Sequence, residues 1–372
     1  MFRITFIVLI LICKFLTAQN TNKIQPLLTL PFNKLHSIPL KISSKNITKS
    51  YALNRDFIFD NEENIILYNE KDFSIDKYDN KGTKVFKIDL LPFVSLKQKK
   101  YFNLNLIKVN LELDSKSNIY CLLTYNELKS DLFKFDTDGS YIDKIKLSGG
   151  PTPKGFNTYY ISPSDNIFIY TFNVTQMFNS DYKNKGNVLV YDNTGKYIGR
   201  TTFFIQDKNH NYYSHIESGN SFIVTKYLNP NNIVEANKAI YTKSKSLRIN
   251  FIHDYSNHSN KYEVDRWYFV GIDNDDNLYY TNNKQVAKFN FNSDKVKFIN
   301  YSNITKSNLY SSYKAIRVNR YGKIIIKAVT SNTQTMVKDY FFDKRDLQIV
   351  FVKLDYWRFH DKTDLISLLP KR

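Results

Sequence analysis

One phrase occurs three times in this chain, and this repetition restricts the fold more than any other feature. The phrase is an aromatic residue, Asp, two polar residues and Gly, followed by alternating apolar positions. The Asp side chain can hydrogen-bond the turn backbone and Gly can adopt a positive φ, so each copy predicts a strand, a tight turn and a second strand. The copies are KYDNKGTKVFKIDL at 77–90, KFDTDGSYIDKIKL at 134–147 and VYDNTGKYIGRTTF at 190–203.

A second phrase, made of apolar residues, Asp, three variable residues, Asn and an aliphatic or aromatic run, precedes each copy and recurs later. Its Asn or equivalent lies at 64, 118, 166, 220, 277 and 323, and the fourth copy, HIESGNSFIVT at 215–225, is degenerate. The two phrases predict two hairpins, hence four strands, in each unit. A four-stranded repeat of roughly 50 residues is typical of a β-propeller blade. The sequence predicts an all-β, six-bladed β-propeller with four-stranded antiparallel blades over residues 51–356.

The two phrases resemble those of NHL-type six-bladed β-propellers. The resemblance rests on Asp114-x-x-x-Asn118-Ile-Tyr followed by Lys134-Phe-Asp-x-x-Gly139, and it covers roughly residues 30–356. It is nearest to exported bacterial propellers that have no assigned activity. The resemblance therefore implies the fold and an exported location, and it implies no particular reaction.

The N-terminus has the pattern of a secretory signal peptide over residues 1–18. Arg3 precedes a short apolar run, and small residues precede Gln19. Lipid attachment is not expected, because Cys13 follows Ile12 where a small residue is required. We expect cleavage after Ala18, a secreted or periplasmic protein that does not span a membrane, and an N-terminal segment over 19–50 packed on the propeller. A C-terminal tail is expected over 357–372, and which terminus closes the ring stays open, since 347–354 is a candidate outer strand.

The charge and cysteine content limit the classes of partner. The net charge is +18, but it comes from 43 Lys and only 10 Arg. Nucleic-acid readers favour the planar fork of Arg, and no nucleic-acid motif is present, so no nucleic-acid partner is expected. Only Cys121 remains after cleavage, within the apolar run IYCLLTY, so we expect a buried free thiol and no intramolecular disulfide.

Chain direction assigns the connections to two faces of the ring. If the strands of each blade are labelled a to d from the channel outwards, the a–b and c–d turns lie on one face, here the turn face. The b–c loops and the links between blades lie on the other, the long-loop face. The longest b–c loops are expected at 172–186, 226–238 and 330–337. Because variable loops on a rigid scaffold commonly bind ligands, we expect the long-loop face and channel mouth to recognise a protein, peptide or glycan. A propeller hydrolase or lyase acting on a carbohydrate or lactone is the alternative, and envelope association stays open.

Basic residues at the start of inner strands suggest an anion site at the channel mouth. Four blades contribute one each: Arg55, Lys108, Arg266 and Arg317. Positive charge that converges in a concave, low-dielectric site attracts anions more than the same charge spread over a surface. The expected ligand is a uronic acid or a carboxylate-bearing peptide. The alternative is that each residue pairs with a local carboxylate, such as Asp56 or Asp265.

Aromatic residues also lead into the predicted inner strands, and they include Tyr160, Tyr213, Trp267 and Tyr268. They form either a stacking platform for sugar or peptide groups at the channel mouth or the packing between blades.

Four histidines raise the question of a metal site: His210, His215, His253 and His258. Each pair has a five-residue spacing, which places the partners on opposite faces of a strand. Glu112 and His215 are conceivable ligands on inner strands, but the sequence shows no third. We therefore predict no catalytic residue, metal ligand or cofactor.

Overall fold

The computed structural model describes sixteen segments of the chain. They are residues 26–35, 56–94, 107–126, 129–150, 158–170, 188–201, 205–218, 221–228, 242–250, 268–281, 285–291, 296–300, 313–331, 347–354, 358–359 and 366–368. Within them the chain forms six antiparallel sheets arranged as a six-bladed β-propeller, so the predicted fold is confirmed.

One strand and one helical turn precede the first blade, β1 (Pro26–Pro31) and α1 (Phe32–Leu35). Blade one, in order a to d, comprises β2 (Phe57–Phe59), β3 (Ile65–Asn69), β4 (Ser74–Tyr78) and β5 (Lys84–Asp89), and a 3-10 turn (Leu91–Phe93) follows it. Blade two comprises β6 (Lys108–Leu113), β7 (Ile119–Asn126), β8 (Lys129–Phe135) and β9 (Tyr141–Ile145). Blade three comprises β10 (Thr158–Ile161), β11 (Ile167–Tyr170), β12 (Val188–Tyr191) and β13 (Tyr197–Thr201).

The second half of the ring follows the same order. Blade four comprises β14 (Ile205–Gln206), β15 (Tyr212–Ser218), β16 (Ser221–Leu228) and β17 (Thr242–Asn250). Blade five comprises β18 (Tyr268–Ile272), β19 (Leu278–Thr281), β20 (Gln285–Phe289) and β21 (Val296–Asn300). Blade six begins with β22 (Tyr313–Val318), β23 (Ile324–Ser331) and β24 (Leu347–Lys353). Two short C-terminal strands, β25 (Arg358–Phe359) and β26 (Ile366–Leu368), add a fifth strand to blades five and four respectively.

The N-terminal strand closes the ring, which answers the question that the sequence left open. β1 pairs antiparallel with β24, with Thr29 opposite Val350, and so supplies strand d of blade six. The candidate outer strand at 347–354 is therefore strand c. Leu28 and Leu30 on β1 are buried in one cluster with Phe57 of blade one and Phe351 of blade six. This cluster joins the first and last blades, so burial of apolar surface stabilises the closed ring.

Blade four lies in a different register from the one predicted. Its a–b turn is Asp207–Asn211, where the Asp207 amide donates to the Asn211 carbonyl at 3.0 Å. The predicted copy at 215–225 instead spans strands b and c, β15 and β16. The segment expected as a long-loop-face b–c loop at 226–238 therefore begins inside strand c. The c–d connection lies between Leu228 and Thr242, which pair with each other. Leu228 follows Tyr227, which pairs with Tyr212 at the start of strand b, next to the a–b turn. Both ends of the c–d connection therefore lie towards the turn face.

Apolar clusters between neighbouring blades form the core. Each cluster takes side chains from two or three adjacent sheets, as expected where the faces of successive blades pack together. Cys121 is fully buried as a free thiol in the cluster between blades one and two, and burial raises its pKa. This agrees with the prediction from its apolar surroundings.

Candidate functional site in the channel

The a–b turns surround the channel end on the turn face, and side-chain hydrogen bonds hold them rigid. In blade one, Asp60 Oδ1 accepts the amides of Glu62 and Asn64, each at 3.0 Å, and Asn64 Nδ2 donates to Asp60 Oδ2 at 2.8 Å. Equivalent turns begin at Asp114, Ser162, Asp207, Asp273 and Asn319. The first residue of each turn thus accepts the amide four residues later, which satisfies backbone groups that would otherwise be unpaired.

A lysine from strand c reinforces four of these turns. Lys77 reaches Asp60 at 3.1 Å and Lys134 reaches Asp114 at 3.0 Å, while the distances in blades four and five are 3.6 and 3.8 Å. This explains the Lys that precedes the aromatic–Asp pair in two of the three copies of the first phrase, at 77 and 134. The pairs neutralise the turn carboxylates and leave the turn tips to vary between blades.

A cavity of about 70 Å³ lies at the turn-face end of the channel. Its walls come from the inner strands of blades one, two, three, five and six and from the a–b turns of blades one, two, three and six. Glu112, Arg317 and Arg320 are charged residues of this lining, and Phe59, Tyr160 and Tyr321 are its aromatic residues. The volume is several times the ~10–15 Å³ that one water molecule needs, so a small ligand group fits together with water.

Two ion pairs join blades that are not neighbours at this cavity. Arg317 on β22 donates through Nη2 to Glu112 Oε1 of blade two at 2.9 Å and to the Leu111 carbonyl at 3.1 Å. Arg320, in the a–b turn of blade six, donates through Nη2 to Asp165 of blade three at 3.3 Å and to the Leu113 carbonyl at 3.4 Å. Because blades three and six are opposite each other in a six-bladed ring, the Arg320–Asp165 contact spans the channel, while the Arg317–Glu112 contact joins blade six to blade two, two positions round the ring.

The structure places the predicted basic residues as follows. Lys108 is the first residue of β6 and is exposed. Arg317 is not at the start of its inner strand as expected, because β22 begins at Tyr313 and Arg317 is next to its last residue. The two therefore lie towards opposite ends of the channel. Arg55 and Arg266 lie outside the described residues, so convergence of all four stays a prediction.

The predicted aromatic residues have different surroundings. Tyr160, on inner strand β10, lines the cavity, and its ring lies 6.3 Å from that of Phe269. Tyr213 belongs to β15, a second strand and not an inner one, because of the register of blade four. Its hydroxyl donates to Asp207 Oδ2 at 2.9 Å, and burial raises its pKa. Tyr213 therefore packs between blades, whereas Trp267 lies outside the described residues and Tyr268 is described only as the first residue of β18.

The histidines do not gather at the channel. His210 occupies the a–b turn of blade four with a φ of 61°, and His215 lies on second strand β15 rather than on an inner strand. His253 and His258 lie outside the described residues. Among the residues that the structure describes, no group of three or more His, Cys, Asp or Glu side chains could hold a metal ion.

A half-buried carboxyl lies between blades four and five. Asp276, with a φ of 59°, occupies the position before Asn277 in the a–b turn of blade five. Burial, together with the negative charge of Asp207, raises the pKa of Asp276 to about 6, while Lys226 and Lys208 act in the opposite direction. Its Oδ1 atom is buried and meets no hydrogen-bond donor among the described residues.

The sequence did not indicate two residues of the cavity, Arg320 and Tyr321. Both occupy variable positions of the sixth a–b turn, Asn319–Lys323, in which Lys323 takes the place of the Asn of the phrase. The available signal was the position itself, since every a–b turn borders the channel. Tyr321 borders the cavity and is half-exposed, at 50%.

No family model and no curated protein matches the chain. Solved structures are similar to it at 11–12% identity. Virginiamycin B lyase from Staphylococcus aureus is 11% identical, with 84% of this chain and 97% of that chain covered and a TM-score of 0.36. Mala s 1, the major allergen of Malassezia sympodialis, is 12% identical, with coverages of 85% and 98% and a TM-score of 0.41. A protein of Bacteroides fragilis NCTC 9343, named as a candidate exported protein, is 11% identical, with coverages of 88% and 96% and a TM-score of 0.40.

These similarities concern the fold, and no functional conclusion rests on them. Within the described part of the chain, no helix is both long enough and apolar enough to cross a membrane.

Proposed function

We propose that this protein is an exported, non-enzymatic binding propeller that recognises a protein, peptide or glycan at the turn-face mouth of its channel. This mouth lies at the opposite end of the channel from the long-loop face that the sequence analysis favoured. The supporting observation is the cavity on the turn face. Five inner strands and four rigid turns place arginine, carboxylate and tyrosine side chains around one concave space. A concave site with a few convergent polar groups on a rigid scaffold is the usual form of a ligand site.

The alternative is a propeller hydrolase or lyase acting on a carbohydrate or lactone. Glu112 is a carboxylate of the cavity lining that such chemistry would use. Its ion pair with Arg317, at 2.9 Å, favours a role in holding the channel walls together. The binding function is therefore preferred, and substrate conversion is an outcome that the experiment must detect.

Export is the second part of the proposal and rests on the N-terminal sequence. The closing strand β1 begins only seven residues after Gln19, so cleavage after Ala18 leaves that strand intact. Intact-mass measurement of the protein recovered outside the cytoplasm tests this. A mass that retains residues 1–18 would refute the cleavage site.

The binding proposal is tested with arrays of glycans and peptides, followed by titration calorimetry of the ligands that bind. The informative variant is Tyr321→Ala, because Tyr321 borders the cavity and its side chain makes no hydrogen bond among the described residues. The matched control is Tyr141→Ala on outer strand β9, since Tyr141 is 49% exposed and lies far from the channel. Unfolding temperatures of both variants show that the ring remains closed.

We expect Tyr321→Ala to weaken binding about tenfold, in line with the loss of one aromatic contact, and Tyr141→Ala to leave it unchanged. Equal effects of the two variants would refute the channel site. Each bound ligand is also incubated with the protein and examined by mass spectrometry, and a new product would establish the enzymatic alternative.

A further inference from the structure

The two channel arginines have donor groups that meet no acceptor among the described residues. A guanidinium carries five N–H donors in a planar fork. Among the described residues, Arg317 and Arg320 each make their hydrogen bonds through Nη2 alone, to one backbone carbonyl and one carboxylate. Nε and Nη1 of both side chains therefore meet no acceptor in the described part of the chain. Both residues line the same cavity and come from the same blade, three positions apart.

Arg320 is the more readily displaced of the two. Its contacts, at 3.3 and 3.4 Å, are longer than the 2.9 and 3.1 Å contacts of Arg317. Asp165, its carboxylate partner, also accepts the amide of Ser115 at 2.7 Å and the Ser115 hydroxyl. Asp165 thus keeps two hydrogen bonds if the arginine turns away. The backbone of Arg320 stays fixed, because its carbonyl accepts the amide of Asn274 at 2.7 Å.

The charges around the cavity suit a single negative charge. Asp60 and Asp114 are paired with Lys77 and Lys134, as described above. Arg317 is balanced by Glu112. When Arg320 turns from Asp165 to a ligand, its positive charge pairs with one negative charge of the ligand, while Asp165 keeps the hydrogen bonds from Ser115. A monoanion such as a carboxylate matches this charge, whereas a dianionic phosphate would be repelled by the nearby acidic groups.

The shape of the site indicates what carries the carboxylate. A cavity of about 70 Å³ accepts a carboxylate with a few waters but not a chain that passes through it, so the group must be terminal. Tyr321, which follows Arg320 directly, presents a half-exposed ring at the rim. An aromatic ring beside a carboxylate-binding arginine can pack on the apolar face of a sugar that carries that carboxylate.

We propose that the turn-face cavity binds the terminal uronic acid residue of a glycan. Arg320 turns from Asp165 to the carboxylate of the sugar and binds it through its guanidinium. Arg317 donates further hydrogen bonds from the wall of the cavity, and Tyr321 packs on the ring of the sugar. This inference rests on the proposed binding function and names the ligand class for the same cavity.

The test uses the mature protein and titration calorimetry at low salt with two probes, a methyl galacturonoside and the corresponding methyl galactoside. We expect the galacturonoside to bind, binding to weaken as NaCl is added, and the galactoside to show no heat. Arg320→Gln should weaken galacturonoside binding about 10- to 100-fold, because hydrogen bonds to charged groups are lost. Arg320→Lys keeps the positive charge but lacks the planar fork, so its affinity for the galacturonoside should lie between those of the wild type and Arg320→Gln.

The control variant is Arg200→Gln on outer strand β13, which removes one exposed positive charge away from the channel and should leave binding unchanged. Equal binding of both probes to the wild-type protein would overturn the inference without use of any variant. So would a loss of binding in Arg200→Gln as large as that in Arg320→Gln. If an acidic peptide binds in an Arg320-dependent manner and the galacturonoside does not bind, the proposal that the ligand is a sugar is refuted. If neither probe binds but another array ligand depends on Tyr321, the uronic acid is wrong and the binding function stands.

Discussion

The polar seam between blades six and one provides a sharp test of how this ring is held closed. Lys327 on β23 is 3% exposed, and its Nζ lies 2.5 Å from Asp56 Oδ2, on a side chain that is 12% exposed. Replacing Lys327 with Met keeps the length of the apolar stem and removes the ammonium, so the buried ion pair with Asp56 is lost. Removing one partner of a buried ion pair typically costs about 3–5 kcal/mol of unfolding free energy. We expect the free energy of unfolding of Lys327→Met to be lower than that of the wild type by this amount.

The matched control is Lys87→Met. Lys87 pairs with Asp72 at 2.8 Å in blade one, but these side chains are 42% and 40% exposed, so the loss should be below about 1 kcal/mol. The double variant Lys327→Met with Asp56→Leu removes both charges and should recover most of the loss, because an apolar pair of similar size can replace a buried ion pair.

Urea unfolding, followed by circular dichroism, measures the three variants, with the slope against urea checked for constancy. The reasoning is wrong if Lys327→Met costs no more than Lys87→Met. It is also wrong if the double variant is less stable than the single one, since Asp56 would then contribute through interactions other than the ion pair.

Two further predictions concern the a–b turns. Since the pKa of Asp276 is raised, its ionised form destabilises the fold, a cost that is present above about pH 6 and disappears as the pH falls towards 4. Asp276→Asn should therefore raise the free energy of unfolding by about 1 kcal/mol at pH 7.5, a value discounted for partial exposure, and should leave it unchanged at pH 4. Thermal unfolding measures both, and equal effects at the two pH values would contradict the prediction. Gly322→Ala should cost on the order of 2 kcal/mol more than Gly82→Ala in urea unfolding, because both glycines have positive φ but a Cβ at Gly322 would lie 2.6 Å from the Tyr279 hydroxyl, whereas at Gly82 the nearest atom is 3.4 Å away. Equal losses would show that backbone strain alone sets both values.

The sequence was sufficient for the fold because the phrases encode local hydrogen bonds. Asp79 Oδ1 accepts the amides of Lys81 and Thr83 at 2.9 and 2.7 Å, and Gly82 has a φ of 84°, as the turn chemistry predicted. Such interactions lie within five residues of the chain, so a single copy contains all that its turn needs. Repetition of these copies then predicts the number of blades.

Blade four shows where that approach fails. The true a–b turn ends at Asn211, 45 residues after Asn166 and 66 before Asn277, whereas Asn220 divides the same stretch almost evenly. Even spacing was the wrong criterion, because longer connections cost little additional loop-closure entropy and their lengths vary freely between blades. The side-chain pattern was the better one, since Asp207 Oδ1 accepts the Asn211 amide at 2.9 Å as in the other turns.

The repeated phrases did not predict the cavity, for a related reason. Arg317 meets Leu111 across 206 residues of sequence, and Arg320 meets Asp165 across 155. Such pairs form only after the ring has brought blades that are distant in sequence together, and their members occupy positions that the turn chemistry leaves free to vary. The periodic residues therefore determine where the turns lie, and the aperiodic residues between them determine what the channel can bind. It follows that chemistry in this fold is best sought at the second and third positions of each a–b turn, where Arg320 and Tyr321 were found.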